Sequence, residues 1–173
     1  GYAAVFNTRT DLGYFTESIA PGAFRESLDR KDDVRALFNH DPSLILGRST
    51  AGTLELSEDE KGLFSRIHPP DTSLARDLVI SIERGDVSQM SFGFYVEQEE
   101  AEMQKDKPTH FTITKARLFD VSPVTFPAYP TTEVDVERCL RSRLEACGVK
   151  PEAAKAAYEL RKREIEILAR VFR

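Results

Sequence analysis

A serine hydroxyl is a poor nucleophile until a base takes its proton, and a histidine base works best when a third group orients it. The chain offers a serine for that role in Gln89-Met90-Ser91-Phe92-Gly93-Phe94-Tyr95. Strand alternation puts Met90, Phe92 and Phe94 on one face and Ser91, Gly93 and Tyr95 on the other. Serine and glycine sharing a face leave a gap that another backbone can approach closely, and a reactive hydroxyl needs such a gap. Taken alone, the run reads first as a half-buried strand with an incidental serine; the histidine and carboxylate elsewhere in the chain shift that balance.

His40 is the candidate base, 51 residues before Ser91. It follows the strand-like run Val34 to Phe38 within Asn39-His40-Asp41-Pro42-Ser43. Proline disfavours helix for Asp41, and Asn, Asp and Ser favour turns, so the strand should end near His40. Two residues on a long strand from Thr109 to Val121 could orient that base, His110 and Asp120. They share a face but lie ten residues apart, roughly 33 Å on a straight strand, so both cannot serve one site. Asp120 sits at the expected strand end, before Ser122 and Pro123, whereas His110 borders a charged loop. Asp120 is therefore preferred, giving a site of His40, Ser91 and Asp120. Metal chemistry would compete for these residues. The three histidines, His40, His68 and His110, show no HExxH, and no cysteine-rich spacing, P-loop or GxGxxG is present. No metal and no cofactor are expected.

The elements that must position these groups are mostly short strands. Gly1 to Phe6 and Tyr14 to Ala20 read as strands, and Ala23 to Asp29 as a short helix. Leu44 to Arg48, Thr53 to Ser57 and Gly62 to His68 follow as strands separated by turn signals. A helix should start at Asp71-Thr72, carry the stripe Leu74, Leu78, Ile80 and Ile82, and stop at Gly85. Glu97 to Lys107 is charged with little to bury and reads as a loop. This pattern predicts an α+β fold, a small, mainly antiparallel β-barrel or strongly curved sheet with surrounding helices. From residue 133 the texture turns helical. Val136, Leu140, Leu144 and Cys147 have helical spacing, and a second helix from Glu152 has a narrow stripe of Leu160, Ile167, Leu168 and Val171. A narrow stripe calls for a partner, a second copy of the chain or another protein. The expected division is a β-rich body over 1–132 and a helical tail over 133–173.

Composition bounds the partners. Residues 133–173 hold ten Lys/Arg and eight Asp/Glu, leaving 1–132 with a balance of −7 out of the total of −5. An acidic body argues against nucleic acid, whose phosphates need a basic surface. No apolar run approaches the roughly 20 residues that span a bilayer, so no membrane partner is expected. Cys139 and Cys147 lie two helical turns apart, roughly 12 Å, too far for a disulfide, and read as reduced thiols of a cytoplasmic protein. The strand-like start at Gly1, without methionine, suggests residues upstream.

Seven short motifs occur in order: Gly1 to Asn7, Ala20-Pro21-Gly22-Ala23-Phe24, Leu37-Phe38-Asn39-His40-Asp41, Leu46-Gly47-Arg48, Arg84-Gly85-Asp86-Val87, Met90 to Phe94, and Asp120 to Val124 with Pro127-Ala128-Tyr129. This set, covering residues 1–132, resembles the tailed-phage prohead (capsid-maturation) proteases, relatives of the herpesvirus assemblins. The resemblance implies a small β-barrel ringed by helices. It also implies a serine endopeptidase packaged inside an assembling procapsid in the host cytoplasm. There it would cleave the scaffold portion of the capsid protein, and then itself. Assemblins run His, Ser, His along the chain, so His40, Ser91 and Asp120 depart from them at the third member. The backbone around Pro127-Ala128-Tyr129 is a candidate source of oxyanion donors. The alternative is a non-catalytic capsid-assembly module that binds scaffold through its tail. A small-ester hydrolase would want a GxSxG elbow, which is absent.

Overall fold

The computed structural model describes residues 1–103, 107–126 and 148. The helices expected in the tail and both cysteines lie outside the described residues, as do the division at residue 132 and Pro127-Ala128-Tyr129. The elements run β1 (Tyr2–Val5), β2 (Thr10–Asp11), β3 (Thr16–Ile19), α1 (Arg25–Asp29), β4 (Arg35–Phe38) and β5 (Asp41–Arg48). After a 3-10 turn come β6 (Leu54–Glu58), β7 (Gly62–Ile67), α2 (Ser73–Arg84), β8 (Gln89–Glu102) and β9 (His110–Val124). No helix among the described residues is long and apolar enough to cross a membrane.

The fold is mostly β with few helices, and its strands fall in two sheets. One has the order β1-β7-β6; the other has the order β2-β3-β9-β4-β5, with β8 also paired to β9. Most ladders are antiparallel, but β4 and β9 pair in parallel, Arg35 opposite Asp120 and Ala36 opposite Val121. No ladder among the described residues closes either sheet into the expected barrel.

The chain divides into two compact units. The first holds Gly1–Asn7, Ile19–Gln98 and 114–126; the second holds Thr8–Ser18, 99–103 and 107–113. The first unit buries Phe24, Leu63, Val34, Ala36, Val121 and Val124 almost completely. Phe24 meets Phe92 edge-on at 5.5 Å, and Phe92 stacks on Phe94 at 5.0 Å. The apolar face of β8 thus joins the core as its alternation requires. In the second unit Phe15 and Phe111 meet edge-on at 5.5 Å, with Leu12, Tyr14 and Ala101 against them.

Three expectations about elements are corrected. First, β8 continues to Glu102, where the charge run suggested a loop; pairing with β9 satisfies its backbone although its side chains stay largely exposed. Second, β9 continues through Pro123 to Val124 instead of ending at Val121. Third, α2 buries Ala75 and Leu78, while Ile80 and Ile82 are exposed. Its ends form as expected. Thr72 Oγ1 accepts from the Ala75 amide at the start, and Gly85, at φ 83°, donates to the Ile82 carbonyl at the end.

Candidate active site

The site is built in the first unit, where β4 and β9 lie in parallel and finish side by side. Just past β4, Asn39 and His40 form a two-residue hairpin turn, and Phe38 pairs with Asp41 across it. Both turn residues have positive φ, 54° and 58°, the signature of a type I′ turn. Asparagine tolerates that conformation; histidine at the second position replaces the glycine that sterics prefer. The turn is anchored to β9 and the residue beyond it. The Asn39 amide donates to the Pro123 carbonyl at 3.0 Å, and Asn39 Oδ1 accepts from the Thr125 amide at 2.9 Å and its hydroxyl at 3.2 Å. The expected Asp-Pro turn is therefore displaced. Asp41, Pro42 and Ser43 belong to β5, where the ladder slips between Leu37–Ile45 and Phe38–Asp41. Irregularities of this kind re-aim the neighbouring side chains. Asp41 accepts the Ser43 hydroxyl and amide, which hold its carboxyl below the usual range.

So held, the imidazole of His40 reaches Asp120. Its Nδ1 lies 2.7 Å from Asp120 Oδ1. A carboxylate can only accept, so Nδ1 donates, and in the neutral form of the ring the lone pair then lies on Nε2. Nε2 has no hydrogen-bond partner among the described residues, and the His40 side chain is 39% exposed, against 4% for Asp120. A buried carboxylate needs partners. Asp120 has a second one in the hydroxyl of Ser122, which donates to the same Oδ1 at 2.8 Å.

Ser91 lies on β8, 7% exposed. Two residues on, Gly93 explains how its face meets the carboxylate. A methyl group at Gly93 would collide with Asp120 Oδ2 and the ring of Phe119. The gap beside the serine is thus filled by the Asp120 carboxylate and an aromatic ring, and not by a passing backbone. Ser91 shares that face. Among the described residues no hydrogen bond joins Ser91 to His40.

His110 is differently placed. It belongs to the second unit, is buried, and has both ring nitrogens engaged: Nδ1 with the Thr16 hydroxyl and Nε2 with the Ser18 hydroxyl, each at 2.9 Å. Burial first, then the charge of Arg9, lowers its pKa. His68 pairs at the surface with Glu55 at 2.9 Å. No group of three or more metal-ligating side chains occurs among the described residues. The sequence reading missed Ser122 and Asn39 as contributors. Spacing could have pointed to Ser122, two residues beyond Asp120 on one strand face, whereas the anchoring by Asn39 depends on a parallel pairing that no local pattern announces.

The arrangement supplies an imidazole oriented by a carboxylate that lies against Gly93, on the strand face that also carries Ser91. Comparison with known proteins agrees in kind. The family model described as caudovirus prohead serine protease matches residues 1–146. The chain is 35% identical over 138 residues to the prohead protease of Enterobacteria phage HK97, an alignment covering 74% of this chain and 54% of that protein. The chain thus spans about half the length of the curated relative it matches. No solved structure matches it. On the family match over most of its length, the chain belongs to the caudovirus prohead serine proteases.

Proposed function

We propose that this protein is a serine endopeptidase of phage capsid maturation, with Ser91 as nucleophile, His40 as general base and Asp120 as the group that orients the base. The observation that carries this is the 2.7 Å contact between His40 Nδ1 and buried Asp120, which leaves Nε2 free to take a proton. In the reaction Ser91 Oγ attacks the peptide carbonyl while its proton passes to Nε2. Asp120 stabilises the resulting imidazolium, which then protonates the leaving amine. Water repeats the sequence on the acyl-enzyme and restores the hydroxyl. The contact between Ser91 and Nε2 must form when substrate is bound, as catalytic hydrogen bonds often do.

The proposed substrates are the scaffold portion of the capsid protein, inside the procapsid, and the protease itself. Family membership supports that assignment, as does the acidic body, which disfavours nucleic acid. An assemblin-like barrel for the complete protein belongs to the same proposal, supported by the motif order and the β-rich body. The test is co-expression with the cognate capsid protein and mass analysis of the fragments. Ser91→Ala removes one oxygen and should abolish cleavage while assembly continues, and a fluorophosphonate should label Ser91 in the unmutated protein. Unchanged fragments with Ser91→Ala would refute Ser91 as nucleophile, and a lack of fragments with the unmutated protein would favour a non-catalytic assembly module.

A further inference from the structure

We propose that Ser122 is a positioning residue for the orienting carboxylate, fixing which way Asp120 faces His40; this rests on the role given to Asp120 above. Ser122 is completely buried, so no solvent molecule stands ready to replace its hydroxyl. It has a single proton to donate and gives it to Asp120 Oδ1 at 2.8 Å, the oxygen that also receives His40 Nδ1 at 2.7 Å. The other oxygen, Oδ2, lies against Gly93, in space that a methyl group could not share. One oxygen is therefore held by two donors and the other is wedged by backbone. A carboxylate so confined cannot swing out of line with the imidazole between turnovers, and that preorganisation is where buried polar networks gain their worth. The hydroxyl also draws negative charge off Oδ1. Without it the carboxylate is less stabilised and less well aimed, and the charge it presents to His40 changes.

A merely structural buried hydroxyl predicts none of this, which makes the test specific. Kinetics are measured on a peptide spanning the junction found by co-expression, using the full chain with Ser122→Ala, Asp120→Asn and the double variant. Ser122→Ala should lower kcat on the order of tenfold, the worth of one hydrogen bond to a charged group, with KM unchanged. The acidic limb of its kcat/KM profile should shift along the pH axis. In the Asp120→Asn background the same change should cost nothing further, because the group through which Ser122 acts has lost its charge. Thermal melts and fluorophosphonate labelling of Ser91 report the folded fraction. If Ser122→Ala fails to fold, Ser122→Cys, which keeps a weak donor, carries the same comparison. An unchanged kcat and acidic limb, or an equal loss in both backgrounds, overturns the role of Ser122 alone. Full turnover by Asp120→Asn overturns the reading of Asp120, and the role of Ser122 with it.

Discussion

His40 occupies a backbone conformation that its side chain does not favour. At φ 58° in the second position of a type I′ turn, glycine is the residue that sterics select. Holding a histidine there is the kind of local cost that accumulates where function requires a particular group. Comparing His40→Gly with His40→Ala separates the two demands. Both should be inactive, and both lose the bond to Asp120. The glycine variant should nevertheless be the more stable by about 1 kcal/mol in denaturant unfolding, since only alanine pays the left-handed penalty. Equal stabilities would mean that the turn relaxes once the imidazole is gone. The orienting group makes a second contrast. Asp120→Asn should cut turnover by about 10⁴, as in the best-studied triad, because an amide cannot stabilise the imidazolium. His110→Gln should leave kcat nearly unchanged, its nitrogens being spent on Thr16 and Ser18. The reverse ranking, measured on the same substrate, would return the third role to a histidine.

At the scale of elements, β8 does two jobs with its two faces. Phe92 and Phe94 bind the strand to the core, while Gly93, on the face it shares with Ser91, meets Asp120 on β9. Glycine is required because the carboxylate and the Phe119 ring fill the space that a Cβ would enter. Gly93→Ala should therefore destabilise the protein by about 1–3 kcal/mol through overpacking. It should also reduce turnover, since the displaced atoms include Asp120 Oδ2. Native stability together with native turnover would show that the approach is looser than drawn. The alternation of β8 was legible from its residue types. That its strand would persist to Glu102 was not: an acidic, exposed run carries no hydrophobic signal, and a ladder with β9 holds it.

For the molecule as a whole, the second unit carries a pH liability of its own. Burial and the charge of Arg9 lower the pKa of His110, with Glu102 opposing in part. The unfolded chain, with this ring near its ordinary 6.5, takes up a proton that the folded ring resists. Above that pH the ring is neutral in both states and adds nothing. As pH falls through 6.5 toward the lower folded value, stability is lost. Thermal or denaturant unfolding at stepped pH should show this decline, and it should be shallower in His110→Gln than in the unmutated protein. An identical slope in the two proteins would mean that the decline comes from other groups.

Most strands along the chain, the capped helix over Ser73–Arg84, the core role of Phe92 and Phe94, and the candidacy of His40, Ser91 and Asp120 could be read from the sequence. These depend on local chemistry: alternation, capping, turn residues, and the placing of a histidine at a strand end. Tertiary structure decided what local chemistry cannot encode. A parallel ladder between β4 and β9 joins residues about eighty positions apart and brings Asn39 to Thr125 and His40 to Asp120. It also separated two histidines that look alike in sequence. One stands in an exposed turn, its Nε2 without a hydrogen-bond partner among the described residues, and the other is buried between two hydroxyls. The physical reason is that a hydrogen bond's partner is set by where the backbone returns, and that return is fixed by packing across the whole sheet.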